Sequence, residues 1–258
     1  MTNLVCIIQA RCGSSRLPGK ILMPLADRPA LAHTIRRCRA IDGVDQVVCA
    51  TTDGVADDAV PAVAEAAGGA VYRGSEADVL DRYFQAAKPW GARYVMRVTA
   101  DCPLLDPAVC SALVKRVLDE DADYGVTVDW PHGLDCEMFT AALLAQAHAE
   151  ATLNVDREHV TLWMKRREDI RTVRHAPRPG DRTPALQEAN RWVLDYPEDY
   201  AFLKAVFDRL PPEPPLVGWR EVLALVDREP ELRAINRQQA EMWRAATAKI
   251  YEAGRKGG

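Results

Sequence analysis

Short runs of apolar, often β-branched residues alternate along this chain with segments of helical periodicity, and that alternation restricts it to strands joined by helical crossovers. LVCIIQA (Leu4 to Ala10), QVVCATT (Gln46 to Thr52), Ala70 to Tyr72, RYVMRVT (Arg93 to Thr99) and DYGVTV (Asp123 to Val128) read as strands. Ala30 to Ala40, Asp57 to Ala67 and Asp78 to Lys88 read as helices between them. A further helix opens at Asp106 and Pro107, where an aspartate N-cap precedes a proline at the first helical position. Such crossovers give a mostly parallel sheet with its ligand crevice at the C-terminal ends of the strands, so functional loops are expected to follow strands.

After Val128 the alternation breaks. WPHGLDCE reads as a loop with a short strand, helices are expected over Ala141 to Ala149 and Arg157 to Arg166, and this region is expected to cover the crevice. RTVRHA (Arg171 to Ala176) and RWVLD (Arg191 to Asp195) read as further strands. LPPEPP (Leu210 to Pro215) marks a linker before helix from Trp219 to Glu252, which divides the chain into a domain over residues 1–210 and a helical extension over residues 211–258. There are no internal repeats. Leu223, Val226, Leu232, Ile235, Met242 and Trp243 form an apolar set in that extension, suited to packing on the core or to a dimer face.

A chain of 258 residues can bury a sizeable core, and a formal charge of −4 gives no bulk positive field for a nucleic-acid backbone or an anionic membrane. No run approaches a membrane span and the N-terminus lacks a signal-peptide pattern, so a cytoplasmic location is expected. The seven cysteines include no C-x-x-C pair, which predicts reduced thiols, and the five histidines have no zinc-ligand spacing.

Any phosphate-binding charge must therefore be local, and one segment concentrates it. IIQARCGSSRLPGK (Ile7 to Lys20) runs from a strand into a loop holding Arg11, Gly13, Ser14, Ser15, Arg16, Gly19 and Lys20. The glycines let backbone amides approach a polyphosphate, the serines add hydroxyl donors, and the cations oppose its charge. A Walker loop is excluded, because five residues separate Gly13 from Gly19 and Ile21 follows Lys20; there is no G-x-G-x-x-G either. A basic surface turn is the plain alternative.

This loop resembles the signature of the sugar cytidylyltransferases that make CMP-linked sugar acids, an Ala-Arg step followed by small residues and Arg-Leu-Pro-Gly-Lys. Gln9, Ala10 and Arg11 resemble more closely the spore-coat polysaccharide F-like branch, with Gln9 departing from the proline usual in the sugar-acid enzymes. The resemblance extends through ATTD (Ala50 to Asp53), YRGSEADVLDRY (Tyr72 to Tyr83), RVTADCPLLDP (Arg97 to Pro107), HGLDCE (His132 to Glu137), REHVT (Arg157 to Thr161) and RWVLDYPEDY (Arg191 to Tyr200). It implies a Rossmann-like three-layer α/β/α nucleotidyltransferase fold, of the nucleotide-diphospho-sugar transferase kind, and a homodimer.

The resemblance also assigns roles. Gln9, Ala10, Arg11, Gly13, Ser14 and Ser15 would hold the nucleotide, and Arg16 and Lys20 would offset charge on the phosphates. Asp101, just past a strand at the crevice, resembles the aspartate that binds the catalytic Mg2+, and Asp195 resembles its second carboxylate. The alternative reading is that Asp101 caps a turn before Pro103 and Asp195 caps the helix at Pro197. Arg73, Ser75, Asp78 and Arg82 would meet base and ribose, although a capping box of Ser75 and Asp78 also explains part of that motif. Asp135, Glu137, Arg157, Glu158 and His159 are the acceptor-site candidates.

These readings converge on magnesium-dependent transfer of CMP from CTP to a sugar acid or a phosphorylated sugar or polyol, with release of pyrophosphate and no protein nucleophile; Cys12 and Cys102 are expected to be bystanders. A glycosyltransferase using a nucleotide sugar is the alternative enzyme, but its Asp-x-Asp motif is matched only by Asp121 and Asp123, ahead of a strand. A non-catalytic nucleotide-binding module is the alternative from a different class.

Overall fold

The computed structural model describes residues 3–181, 186, 190–211, 215–243 and 245. Its main sheet has seven strands: β1 (Leu4–Gln9), β4 (Val44–Thr52), β5 (Ala70–Gly74), β6 (Tyr94–Thr99), β7 (Tyr124–Thr127), β8 (Glu137–Thr140) and β9 (Thr172–His175). Their spatial order is β5-β4-β1-β6-β8-β7-β9. Pairing is parallel throughout except at β8, which runs antiparallel to both β6 and β7. A small hairpin, β2 (Pro24–Leu25) with β3 (Arg28–Pro29), follows the loop after β1.

β1 is apolar at nearly every position because both its faces are covered. Leu4, Cys6 and Ile8 pack beneath α1 (Ala30–Arg39), α2 (Val60–Ala66) and α4 (Pro107–Asp119), with Ile35, Val60 and Leu113 among their neighbours. Val5 and Ile7 face α3 (Val79–Ala87) and α5 (Ala141–Glu150) through Leu80, Tyr83 and Leu143. The result is the expected three-layer α/β/α arrangement.

Asp106 caps α4, accepting from the amides of Ala108 at 2.7 Å and Val109 at 3.1 Å. Its second oxygen accepts from Trp219 N at 2.6 Å, which ties down α9 (Trp219–Arg228). α9 and α10 (Glu231–Ile235) bury Trp219, Val222, Val226 and Leu232 in a third cluster with Trp192 and with Phe202 of α8 (Pro197–Phe207). Leu223 and Ile235 pack at its edge, whereas Met242 and Trp243 stay exposed at 52% and 39%.

Several elements differ from the sequence reading. Arg191–Asp195 makes a single parallel bridge, Arg191 to His132, rather than a strand. The helix expected over Arg157–Arg166 is two short ones, α6 (Asn154–His159) and α7 (Leu162–Lys165), separated at Val160, which adopts φ +62°. Thr161 N bonds to His159 O at 2.6 Å across it, a γ-turn strained for a β-branched residue. The helix expected from Asp57 is a 3-10 turn (Val55–Asp57) followed by α2. The C-terminal helix breaks around Pro230, and residues 246–252 of it, like 212–214 of the proline-rich stretch, lie outside the described residues. Among the described residues, no helix is long and apolar enough to cross a membrane.

Candidate active site

The loop after β1 is shaped from beneath. Asp57, 2% exposed, accepts from Cys12 N at 2.6 Å with one oxygen and from Thr52 Oγ1 with the other. Ser14 N and Gly19 N both bond to Cys12 O, at 2.8 and 3.0 Å, which folds residues 12–19 into a closed loop. Gly19 closes it at φ +69°, left-handed backbone that favours glycine, and so starts the 3-10 turn that carries Lys20 inward.

Ala100 N bonds to Gln9 O at 3.0 Å, so the ends of β1 and β6 stay side by side and Asp101 emerges over the same crevice. Leu194 N bonds to Asp101 O at 2.8 Å, which brings Asp195 to it across almost a hundred residues. The cavity between them measures about 430 Å³. Gln9, Arg11, Gly13, Ser14, Ser15, Arg16, Lys20, Asp101 and Asp195 line it, with Ile21, Thr99 and Ala100.

Lys20 is the pivot of the cavity. Its Nζ donates to Asp101 Oδ2 at 2.6 Å and to Asp195 Oδ1 at 2.7 Å, although only 11% of the side chain is exposed. Burial works against its charge, but the two carboxylates outweigh burial and raise its pKa above the usual lysine value. Asp195 mirrors this, since burial pushes its carboxyl up while Lys20, Arg16 and Arg191 bring it below the ordinary aspartate range. Arg16 reaches Asp195 Oδ1 at 3.1 Å and lies over the Tyr196 ring, 4.8 Å from its centre. Arg11 is half exposed at the rim. Asp195 does not cap the following helix: Tyr196 is the N-cap, and Asp199 accepts from the amides of both Asp195 and Tyr196 at 3.1 Å.

A second, smaller cavity of about 160 Å³ adjoins the first through Gln9 and Arg11, and is also lined by Ala10, Val79, Arg82, Arg97, Glu158 and His159. Arg82 is 1% exposed and donates to Ser75 O at 2.6 Å. Burial, with the nearby Arg11 charge, lowers its pKa. The Nε atoms of both Arg82 and Arg97 are buried without a partner among the described residues. Ser75 is not an N-cap. Its hydroxyl accepts from Asp78 N at 3.0 Å, and Asp78 caps α3 by accepting from Asp81 N at 2.9 Å. Arg73 turns away to Thr52 O, Gly54 O and Asp58, at 3.0, 3.0 and 2.8 Å.

The five acceptor candidates are dispersed. Glu158 and His159 enter the second cavity. Arg157 instead holds Asp78 at 2.7 Å and His148 O at 3.0 Å, pinning α6 to α3. Glu137 is buried and shared among Arg97 and Lys165, both at 2.7 Å, Thr161 at 3.1 Å, and Tyr124. Burial raises its carboxyl pKa, but Arg97 and Lys165 prevail and bring it down to about 2. Asp135 accepts from Gly133 N at 2.9 Å, beside His132. Cys12 and Cys102 are held as thiols: burial and Asp57 push Cys12 up to about 11, and burial and Asp101 push Cys102 well above its ordinary value. Asp121 and Asp123 lie just ahead of β7, at the end of the strands away from the crevice.

Residues 5–234 match the family model for cytidylyltransferases. The chain belongs to the cytidylyltransferase family. This cytidylyltransferase is 33% identical over 236 residues to the spore coat polysaccharide biosynthesis protein SpsF of Bacillus subtilis, a match covering 90% of this chain and 97% of that one. It is 38% identical over 116 residues to a 3-deoxy-manno-octulosonate cytidylyltransferase of Anaeromyxobacter, covering 44% of this chain and 47% of the relative. A cytidylyltransferase structure from Leptospira borgpetersenii superposes with a TM-score of 0.82 at 27% identity, covering 90% of this chain and 97% of the other. The chain is thus a nucleotidyltransferase.

The structure also brings forward residues that the sequence reading passed over. Arg97 stands alone in an apolar strand, a signal that could have marked it. Arg191 and Asp199 lie four residues before and after Asp195, at the start of a strand-like run and in the first turn of a helix, positions where a charged residue carries no such mark.

Proposed function

We propose that this cytidylyltransferase transfers CMP from CTP to a small sugar-like acceptor, a sugar acid or a phosphorylated sugar or polyol, in the synthesis of a surface polysaccharide. The observation that carries this reading is the placement of the Lys20 ammonium between the Asp101 and Asp195 carboxylates, under a loop bearing two more cations. The carboxylates already bracket one cation, and hard oxygen donors of this kind suit magnesium. Among the described residues there is no cluster of three or more His, Cys, Asp or Glu, so the remaining ligands would be phosphate oxygens and water. Asp101 and Asp195 would hold the ion, which as a Lewis acid would offset charge on the triphosphate.

The protein's own part is positioning and charge. Amides at Gly13 and Ser15 and the hydroxyls of Ser14 and Ser15 fix the β- and γ-phosphates, and Arg16 and Lys20 neutralise the charge that builds on the departing pyrophosphate. An acceptor oxygen attacks the α-phosphorus in line, the bond to the β-phosphate oxygen breaks, and the acceptor proton passes to solvent. With both nearby thiols protonated, no covalent enzyme intermediate is required. The second cavity takes the nucleoside against Val79 and Arg82, and Glu158 and His159, which also line it, serve its acceptor side. Glu137 and Arg157 serve that side indirectly, through Thr161 and Asp78. We place the reaction in the cytoplasm, where CTP is made and where seven free cysteines are stable.

Pyrophosphate release from each ribonucleoside triphosphate, with magnesium and a panel of sugar acids and sugar or polyol phosphates, tests the proposal. Release with CTP and one acceptor, lost in Asp101→Ala, is expected. Binding of a nucleotide sugar with no release across the panel would overturn it in favour of a glycosyltransferase.

A further inference from the structure

A buried chain of polar contacts runs from the last helical turns to the Asp195 carboxylate. Asn236, 3% exposed at the C-terminal end of α10, donates from Nδ2 to Arg191 O and to Asp199 Oδ1, both at 2.9 Å. Arg191 and Asp199 are themselves buried, at 2% and 0% exposure. Arg191 pairs with Asp199 through Nε at 3.0 Å and reaches Asp195 Oδ2 through NH2, also at 3.0 Å. Its NH1 lies 2.8 Å from His132 Nδ1. An arginine only donates, so Nδ1 accepts and the neutral ring carries its proton on Nε2. Trp243 covers the His132 ring, with 4.2 Å between ring centres and 19° between planes.

The match to the family ends at residue 234, so Asn236 and Trp243 lie just past the shared part while every group they hold lies within it. A buried asparagine is costly unless its polar atoms meet partners. Here its donors meet the main chain of Arg191 and the carboxylate that anchors the amides of Asp195 and Tyr196. Turning the Asp195 carboxylate away from Lys20 would also break its bond to Arg191 NH2.

We propose that Asn236 and Trp243 are positioning residues of the active site: Asn236 fixes the Arg191–Asp199 pair that orients the Asp195 carboxylate, and Trp243 fixes the His132 ring against which Arg191 is braced. The inference rests on the reading of Asp195 as a carboxylate that serves the nucleotide-bound cation. Partners bonded directly to a cation-holding carboxylate, as Arg191 is to Asp195, alter cation affinity by about 10-fold or more when removed, and Asn236 and Trp243 act on Asp195 through Arg191.

Asn236→Asp keeps the shape and replaces the donor by an acceptor, Trp243→Ala removes the ring, and Trp243→Phe keeps a ring. Calorimetry gives the CTP affinity of each with and without Mg2+, alongside its unfolding midpoint. Metal-free CTP affinity is expected to stay within about twofold of the wild type, while the gain on adding Mg2+ falls about tenfold in Asn236→Asp and Trp243→Ala and returns in Trp243→Phe. An unchanged gain, or affinities that fall together with the unfolding midpoint, would overturn the proposal. Nitrogen NMR of the free protein, with His132 assigned through a His132→Gln variant, reads the ring tautomer without any ligand. The Nε2-protonated form is expected in the wild type and a tautomer mixture in Asn236→Asp and Trp243→Ala; identical ring signals in all three would refute the positioning. If the wild type fails to bind CTP, the cytidylyltransferase reading of the pocket falls, and the ring spectra still decide the positioning.

Discussion

Replacing Lys20 with methionine removes the cation that both pocket carboxylates share while keeping most of the side chain's volume. Nζ now stands 2.6 Å from Asp101 and 2.7 Å from Asp195. Without it, the two facing oxygens repel across roughly 5 Å, by about 3 kcal/mol at an effective dielectric near 20. Asp195 keeps Arg16 at 3.1 Å and Arg191 at 3.0 Å, and its side chain is 14% exposed, which reduces the net effect. The expected loss is about 2 kcal/mol at about pH 8, or roughly 4–8 °C in the unfolding midpoint of a chain this size. The sign with pH is definite. In the wild type the Asp195 carboxyl titrates below its unfolded value, so its stabilisation is present above the unfolded pKa and is lost as pH falls. In Lys20→Met the Asp195 carboxyl loses its largest opposing charge and titrates higher than in the wild type, so the penalty is full at about pH 8 and shrinks as pH falls toward about 4. Thermal unfolding across that range, repeated with Mg2+ and no nucleotide, measures both effects. The variant is expected to gain more from Mg2+ than the wild type, because no ammonium competes for the gap. Equal midpoints at every pH, or an equal gain from Mg2+, would show that Lys20 does not hold the carboxylates together.

Glu137→Gln should lose about 3 kcal/mol at about pH 7, where the ionised carboxylate serves Arg97 and Lys165; because the Glu137 pKa is depressed to about 2, urea unfolding should show the gap to wild type narrowing as pH falls through the acid range. Gly133→Ala should cost about 2 kcal/mol or more, since residue 133 has φ +113° and a Cβ there would lie 2.6 Å from the Trp192 carbonyl, and denaturant titration will read it. Cys12→Ser should keep activity within about threefold, and Cys12 should alkylate slowly at about pH 7, because its thiol titrates near about 11. A Cys12→Ser variant that loses pyrophosphate release altogether would contradict a mechanism without a protein nucleophile.

Much of the fold was legible because its signals are local. The apolar runs of β1, β4 and β6 and the Asp106–Pro107 helix start need only neighbouring residues to be read. The elements that were misread depend on distant partners. Val160 breaks a helical pattern because its turn is held on both sides, by Glu137 through Thr161 and by the core around Val160 itself. RWVLD has the composition of a strand, but only Arg191 finds a strand-like partner, at His132. Ser75 and Asp78 have the spacing of a capping box, and the Arg157 contact to Asp78 accompanies a helix that starts three residues later than that box requires.

By itself the sequence determined the alternating α/β architecture, the chemistry of the loop after β1 and its match to the cytidylyltransferases, because periodicity, loop composition and motif spacing are written in contiguous residues. Only the tertiary structure decided that Lys20 lies between Asp101 and Asp195, that Glu137 is a buried carboxylate shared among four side chains, and that Asn236 and Trp243 reach back to Arg191 and His132. Those contacts join residues separated by tens to hundreds of positions. They exist because the sheet sets the ends of β1 and β6 side by side and the C-terminal helices close over that same end, a condition that no local pattern encodes.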